Sequence, residues 1–468
     1  MSPPLTATLA AFTAGLEAEA LPAAIRDRAA AFILDLAGNI IRARYDAEST
    51  PALLSTVRAL GLAPGKHGVF GCAMRYTAAG AALLNGALGH SLDFDDTHAP
   101  SSLHPGAPVI PAALAAAEMT GAKGREVIAA IVAGYDVTCR IALALPAAAH
   151  YDRGFHPTAT CGAFGAAAAA GRVFGLDAES LASAFGIALS QSAGSLQFLA
   201  NGAWTKRFQV GWAAMAGLTA ATLARSGFKG ASEALEGRHG FLAAYAPSPQ
   251  PELALEGLGE RFELMRTAVK PYPSCRYGHA AIDAALALRA RLDLRPEEIE
   301  RIVIGLPRAG MLLIGAPIEK KRAPENVVDG QFSAPFVVGV ALLAGRMGWD
   351  SYRQFLGDPA LHALMARTEC VEDPDIEALF PRHMAGRVTL EARGSRFVET
   401  VTVPSGEPEN FPSAEALMAK FEDLTAPVLG PERSRRLAET LLAFGEVEDV
   451  TALHGLASPV AAARLASD

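Results

Sequence analysis

The sequence predicts a mainly α protein: a large all-helical domain, a smaller α+β lid domain, and an active-site cleft between them. Three observations predict this. Residues 1–265 form a nearly unbroken series of Ala- and Leu-rich segments separated by Gly and Pro. After Lys270 the texture changes, and period-two alternation appears. Hydrophobic residues make up 51% of the 468-residue chain and charged residues 19%, a composition that buries a large core and is not disordered.

In chain order, helices are expected over 22–43, 107–119, 124–145, 160–173, 179–194 and 209–226, and "GAALLNGALG" (80–89) is a further small-residue helix. Ala and Gly on many faces imply close helix packing, with several helices buried all round. A helix is expected at 277–292, a strand at 298–306 ("EIERIVIGL") and a helix at 331–345. "GRVTLEARGSRFVETVTVP" (386–404) alternates on both sides of "RGS" and predicts a hairpin. The tail, 413–468, returns to helix and is expected to pack back on the first domain. The domains are therefore 1–269 with 406–468, and 270–405.

The bulk properties exclude several classes. The longest apolar runs, 334–345 and 126–135, are about half of the ~20 residues a membrane span needs. No basic region precedes an apolar one near the start, where Glu17 and Glu19 interrupt the chain, so no signal peptide is expected. Five cysteines without a CxxC pair fit reduced thiols in the cytoplasm. A net charge of −8 without a basic block argues against nucleic acid. Neither a Rossmann glycine pattern nor a Walker A loop is present, and no cofactor is expected.

Chemistry concentrates in "HSLDFDDTHAPSSLHPG" (90–106), which holds Asp93, Asp95, Asp96, His90, His98 and His104. The stretch follows one small-residue helix and precedes another, at the edge of a packed bundle. Four readings are open. It is a helix end with solvated, capping acids. It is a zinc or iron site made by His98 and His104 with Asp95 or Asp96. It is the Asp-x-Asp-Asp acid of helical terpene cyclases, here Asp93-Phe94-Asp95-Asp96. Or it is an acid–base site.

Three other stretches complement it. "HPTATCGAFGAAAAAG" (156–171) runs His156 into a helix start, with Thr158 or Thr160 as a cap and an N-terminus that favours anions. "NGAWTKRFQVGWAAMAG" (201–217) puts Lys206 in a Gly-bounded loop, as a surface charge or a point cation for a carboxylate. "KPYPSCRYGHAAIDAAL" (270–286) gathers Lys270, Cys275, Arg276 and His279 at the domain junction, where Cys275 reads as a packing or substrate-contacting thiol. Asp136 and Arg140, at i,i+4, read as a structural pair. Together these groups are the set needed to move a proton alpha to a carboxylate: histidines for the proton, cations for the developing enediolate.

The stretches 90–106, "GYDVTCRIALAL" (134–145), 156–171, "TKRFQVGWAAMAGLTAATLARSGFKG" (205–230) and 270–286, in this order and spacing from about residue 20 to 430, resemble the MmgE/PrpD superfamily. Its members include 2-methylcitrate dehydratase, cis-aconitate decarboxylase and iminodisuccinate epimerase. The resemblance implies a homodimer and cofactor-free chemistry on a small di- or tricarboxylate. Carried over by position, it implies His104 and His156 as acid–base groups, with Asp93 orienting or tuning a histidine. It also implies Thr97 bonding the substrate, and Lys206 and Lys270 holding carboxylates. Cys275 replaces a histidine, and Phe336 a tyrosine, that the decarboxylase branch tends to carry.

The expected function is a lyase that dehydrates or decarboxylates a polycarboxylate. The alternatives are an epimerase or racemase of a related dicarboxylate, a metal-dependent enzyme using the Asp/His stretch, and a non-catalytic carboxylate-binding relative. The expected partner is the small anionic substrate, with neither nucleic acid nor membrane.

Overall fold

The computed structural model describes residues 4–459 and divides into two compact units. The first runs up to Ala268 and resumes at Ser413; the second is Val269–Pro412. The second break falls beyond residue 405. The turn that follows belongs to the second unit, where the Val269 N–H donates to the Gly406 carbonyl at 3.0 Å.

The first unit is helical. Its leading helices are α1 (Leu5–Gly15), α2 (Ala23–Asp46), α3 (Thr50–Ala59), α4 (Ala78–Gly89) and α5 (Gly106–Thr120). They are followed by α6 (Gly124–Leu143), α7 (Ala147–Asp152), α8 (Pro157–Val173), α9 (Ala178–Leu189) and α10 (Thr205–Arg225). Local chemistry sets their ends. Thr77 accepts the Gly80 N–H to cap α4, Gly121 in the left-handed region closes α5, and Pro157 occupies the first turn of α8.

Helix α8 is the axis of this unit. Every residue from Pro157 to Gly171 is buried. Small residues make that possible, because helix backbones touch directly. A Cβ on Gly165 would lie 1.7 Å from Thr138 Oγ1 on α6, and one on Gly217 of α10 would lie 2.4 Å from the Ala166 side chain. Alanine at either position would force the helices apart, at a cost of about 1–3 kcal/mol. The packing brings three ends together: the C-terminus of α4, the N-terminus of α8 and the N-terminus of α10.

The C-terminal segment adds the helices Ala414–Leu429 and Pro431–Leu442. They pack on α2, where Gly38 faces Phe421 and Leu424.

The second unit is built on a four-stranded sheet in the order β2-β1-β3-β4. β1 (Ile299–Leu306) runs parallel to β2 (Thr368–Glu372) and antiparallel to β3 (Gly386–Ala392), which forms a hairpin with β4 (Ser395–Val401). Arg393 and Gly394 both have positive φ, the requirement of a tight two-residue hairpin turn. The helices His279–Leu292 and Ala334–Ala344 pack with the sheet around one apolar core. β2 was not anticipated. It is short, and only its first residue, Thr368, is buried, so it carries little alternation. Phe336 lies in this core, fully buried and stacked on Tyr352 at 5.5 Å between ring centroids. Phe336, which the resemblance set against a tyrosine, is thus a core residue of this unit. Among the described residues no helix is long and apolar enough to cross a membrane.

Candidate active site

The three helix ends of the first unit deliver the chemistry. His90 is the C-cap of α4, His156 is the N-cap of α8, and Lys206 lies in the first turn of α10. Lys206 is thus on a helix, not in the loop that its Gly-bounded context suggested. The loop between α4 and α5 supplies Asp93, Asp95, Asp96, Thr97 and His104.

Three histidines meet here. The His90 ring lies 4.8 Å from that of His104 and 5.9 Å from that of His156. His90 Nδ1 bonds Asp95 Oδ2 at 2.7 Å, and both side chains are wholly buried. The same oxygen is 3.6 Å from His104 Nδ1. Asp95 is therefore the carboxylate shared by two histidines. Asp93, expected to orient or tune a histidine, pairs with Lys206 at 3.1 Å. The chain turns at Asp93, which has φ +53.

The remaining acid has a structural task. Asp96 accepts from Tyr135 Oη at 2.7 Å and from the Gly106 N–H at 3.2 Å, tying the loop to α6 and to the start of α5. Burial and the neighbouring Asp95 charge push its carboxyl well above the usual range. His98 is also structural: its Nδ1 bonds Ser101 Oγ at 2.6 Å and its Nε2 bonds Glu263 at 3.0 Å. Neither threonine caps α8. Thr158 Oγ1 accepts the His104 N–H at 3.2 Å, and Thr160 bonds His150. Thr158 thus fixes the backbone of a candidate catalytic residue.

The electrostatics separate the two acid–base candidates. His156 is 4% exposed, and burial, then the nearby positive charge of His90, Lys206 and His104, hold its pKa well below the ordinary value. His104 is half-buried beside the Asp95 carboxylate, so an imidazolium there would make a favourable ion pair. Burial opposes the charge on Lys206, but Asp93 and Asp95 outweigh it and raise its pKa. Among the described residues, the buried side-chain atoms without a hydrogen-bond partner include His90 Nε2, Thr97 Oγ1 and His156 Nδ1. Such atoms are costly to bury unless something else meets them.

The set expected for a metal, His98 and His104 with Asp95 or Asp96, is not assembled, because His98 and Asp96 bond elsewhere. The group that does assemble is His90, Asp95 and His104, with ligand atoms within 4.8 Å of one another. Its closest pair, at 2.7 Å, is at hydrogen-bond distance. Donors placed ~2.0–2.1 Å from a tetrahedral zinc would stand about 3.3 Å apart. The arrangement is that of a hydrogen-bonded acid–histidine pair. The open carboxylate row of the terpene-cyclase reading is absent too, since Asp95 and Asp96 are buried against His90 and Tyr135.

The other expected site residues belong to the second unit. Lys270 is 6% exposed. Cys275 is half-buried and packs against the apolar core. Arg276 makes a two-pronged pair with Glu407. His279 opens the helix His279–Leu292, with Nε2 3.2 Å from the Ser274 carbonyl. Asp136 and Arg140 are a buried pair at 2.7 Å, and Arg140 also donates to four backbone carbonyls between Ala254 and Arg261.

The comparisons with known proteins cover both units. The chain is 27% identical over 473 residues to a cis-aconitate decarboxylase of Aspergillus terreus, spanning 96% of this chain and 95% of that one. It is 28% identical over 417 residues to a cis-aconitate decarboxylase-like protein, oryM, of Aspergillus oryzae (84% and 85%). It is 28% identical over 386 residues to human cis-aconitate decarboxylase (80% and 78%). The MmgE/PrpD N-terminal domain matches residues 7–254 and the MmgE/PrpD C-terminal domain matches residues 272–444, so the chain belongs to the MmgE/PrpD family.

Proposed function

We propose that this protein is a lyase that decarboxylates or dehydrates a small di- or tricarboxylate by proton transfer alpha to a carboxylate. One observation carries the reading: two histidines, with rings 4.8 Å and 5.9 Å from that of His90, sit in different surroundings, His104 beside the Asp95 carboxylate and His156 buried among positive charge. His156, held neutral, is the base. His104, beside Asp95, is the acid. Titratable groups whose surroundings push them apart are how one pocket divides acid from base work. Lys206 supplies the fixed cation that an enediolate needs. Thr97, with its unpartnered hydroxyl, is a donor for a substrate oxygen.

In dehydration, His156 takes the alpha proton, charge builds on the carboxylate oxygens beside Lys206, and His104 protonates the departing hydroxyl. In decarboxylation the bond to the carboxyl carbon breaks to release carbon dioxide, the electron pair stays on the carbon left behind, and His104, the acid, protonates that carbon. The similarity to cis-aconitate decarboxylases favours the second course. Lys270 keeps the carboxylate-binding role that the family resemblance gives it. The same reading takes the enzyme as a homodimer that needs no cofactor, which light scattering and metal analysis check.

A second reading, epimerisation of a related dicarboxylate, is supported by the presence of two histidines on different elements. One experiment separates the readings. Cis-aconitate, 2-methylcitrate, citrate, malate and iminodisuccinate are each incubated with the enzyme in deuterated water, with chelator present, and followed by NMR. Release of carbon dioxide or water is the expected result. Deuterium entering recovered starting material without either loss would establish the epimerase. Activity that vanishes with chelator and returns with metal would overturn the metal-free mechanism.

A further inference from the structure

The C-terminal helix Ala414–Leu429 reaches the loop that carries the site's acids. Lys420 Nζ donates to the Phe94 carbonyl at 3.0 Å and pairs with Asp35 of α2 at 2.5 Å. It also lies 3.7 Å from the centre of the Phe94 ring, within cation–π range. Asn39 Nδ2 donates to the same carbonyl at 3.2 Å. One peptide oxygen therefore takes two donors, from α2 and from the far end of the chain.

The position of that oxygen matters. Phe94 stands between Asp93, which pairs with Lys206, and Asp95, which pairs with His90. Asp93 is in the left-handed region, which an L-residue adopts only where the surroundings hold it there. Lys420 grips the ring and the carbonyl of the residue immediately after it, and Phe94 is 2% exposed. A slip of this peptide would move both acid pairs at once.

We infer that Lys420 is a positioning residue for the site: by clamping the Phe94 peptide it fixes Asp93 on Lys206 and Asp95 on the histidines. The inference rests on the acid–base reading for its kinetic consequence but not for its structural one. It also gives the return of the chain to the first unit, after the α+β unit, a catalytic purpose.

Removing Lys420 alone would leave the Asp35 carboxylate buried without its cation, which destabilises a fold for reasons unrelated to catalysis. The test is therefore the paired change Asp35→Asn with Lys420→Met, beside Lys420→Arg. In the double variant kcat is expected to fall about ten- to a hundredfold, the effect of an ångström-scale misplacement, with KM changing far less. Lys420→Arg keeps donors for both acceptors and is expected to recover most of the rate. Hydrogen exchange of peptides covering 91–103 gives a readout independent of any substrate, and it is expected to quicken in the double variant but not in Lys420→Arg. Unchanged exchange there would overturn the clamp. So would quickened exchange with kcat intact. If the wild type turns over nothing in the panel, the lyase reading fails while exchange still judges the clamp.

Discussion

His98–Glu263 and His90–Asp95 are both buried histidine–carboxylate pairs, and both histidines come from the same short stretch. Their surroundings differ. In the first, both ring nitrogens of His98 are engaged, by Ser101 and by Glu263. Glu263 in turn accepts from Arg266 at 2.9 Å and Arg261 at 3.2 Å, with Arg140 at 3.8 Å. In the second, His90 Nε2 has no hydrogen-bond partner, and two more histidines and a lysine stand around the pair. A pair with both ring nitrogens satisfied and three arginines around its acid holds a loop in place. A pair that leaves a donor or acceptor over, in a buried site, is where a substrate can be met.

The largest test of that contrast is the loss of the acid–base histidines. His104→Ala and His156→Ala are each expected to lower kcat about 10²–10⁴-fold, the usual worth of a positioned proton-transfer group. Circular dichroism should remain that of the wild type. Full turnover by either variant would remove that residue from the mechanism.

Next in size is the structural pair. Glu263→Gln leaves arginines and His98 without their common carboxylate, and breaking a buried charged network costs about 3–5 kcal/mol. The melting temperature should drop accordingly, while turnover per folded molecule stays close to the wild type. Asp95→Asn gives the reverse pattern. The carboxamide keeps the shape but cannot stabilise a histidinium, so kcat should fall about tenfold or more with a smaller change in melting temperature. If the two variants behaved alike, the division between holding and reacting would be wrong.

The sequence made this contrast only partly legible. The helices α5, α6 and α8, strand β1 and the β3–β4 hairpin were readable because their periodicity and turn residues are local. The stretches holding His104, His156, Asp93 and Lys206 read together as a proton-transfer set, and the role of each residue came with the family resemblance. The pairing was not legible. Asp93 and Asp95 are two residues apart and chemically identical, and their closest partners, Lys206 for one and His90 for the other, come from the ends of different helices. Glu263 and Lys420 carry no local signal at all, because their partners lie 165 and 326 residues away. Six titratable groups in seventeen residues marked the place, but long-range packing assigned the roles.

The smallest expected effect is in pH dependence, and it separates the pairs by range. Burial pushes the Glu263 carboxyl up, but the bond and charge of His98, then the charges of Arg266 and Arg140, outweigh it and hold it at about 2, below its ordinary 4.5. A carboxylate depressed in the folded state stabilises the fold fully above its unfolded value, and that contribution drains away as pH falls through the folded one. Stability should therefore decline between about pH 4.5 and 2, and Glu263→Gln should lack that share of the decline. His156 acts in a higher range. Its folded pKa lies below the ordinary 6.5, so the unfolded chain binds the proton first and stability starts to fall as pH drops below 6.5. Where the reaction begins with removal of the alpha proton, as in dehydration, the same depression keeps the base neutral, and the acid limb of kcat/KM should lie below pH 6.5. Asp95→Asn should leave the stability limb of Glu263 untouched. An acid limb of kcat/KM above 6.5 would mean that His156 is not the base, and the two histidines would have to exchange roles.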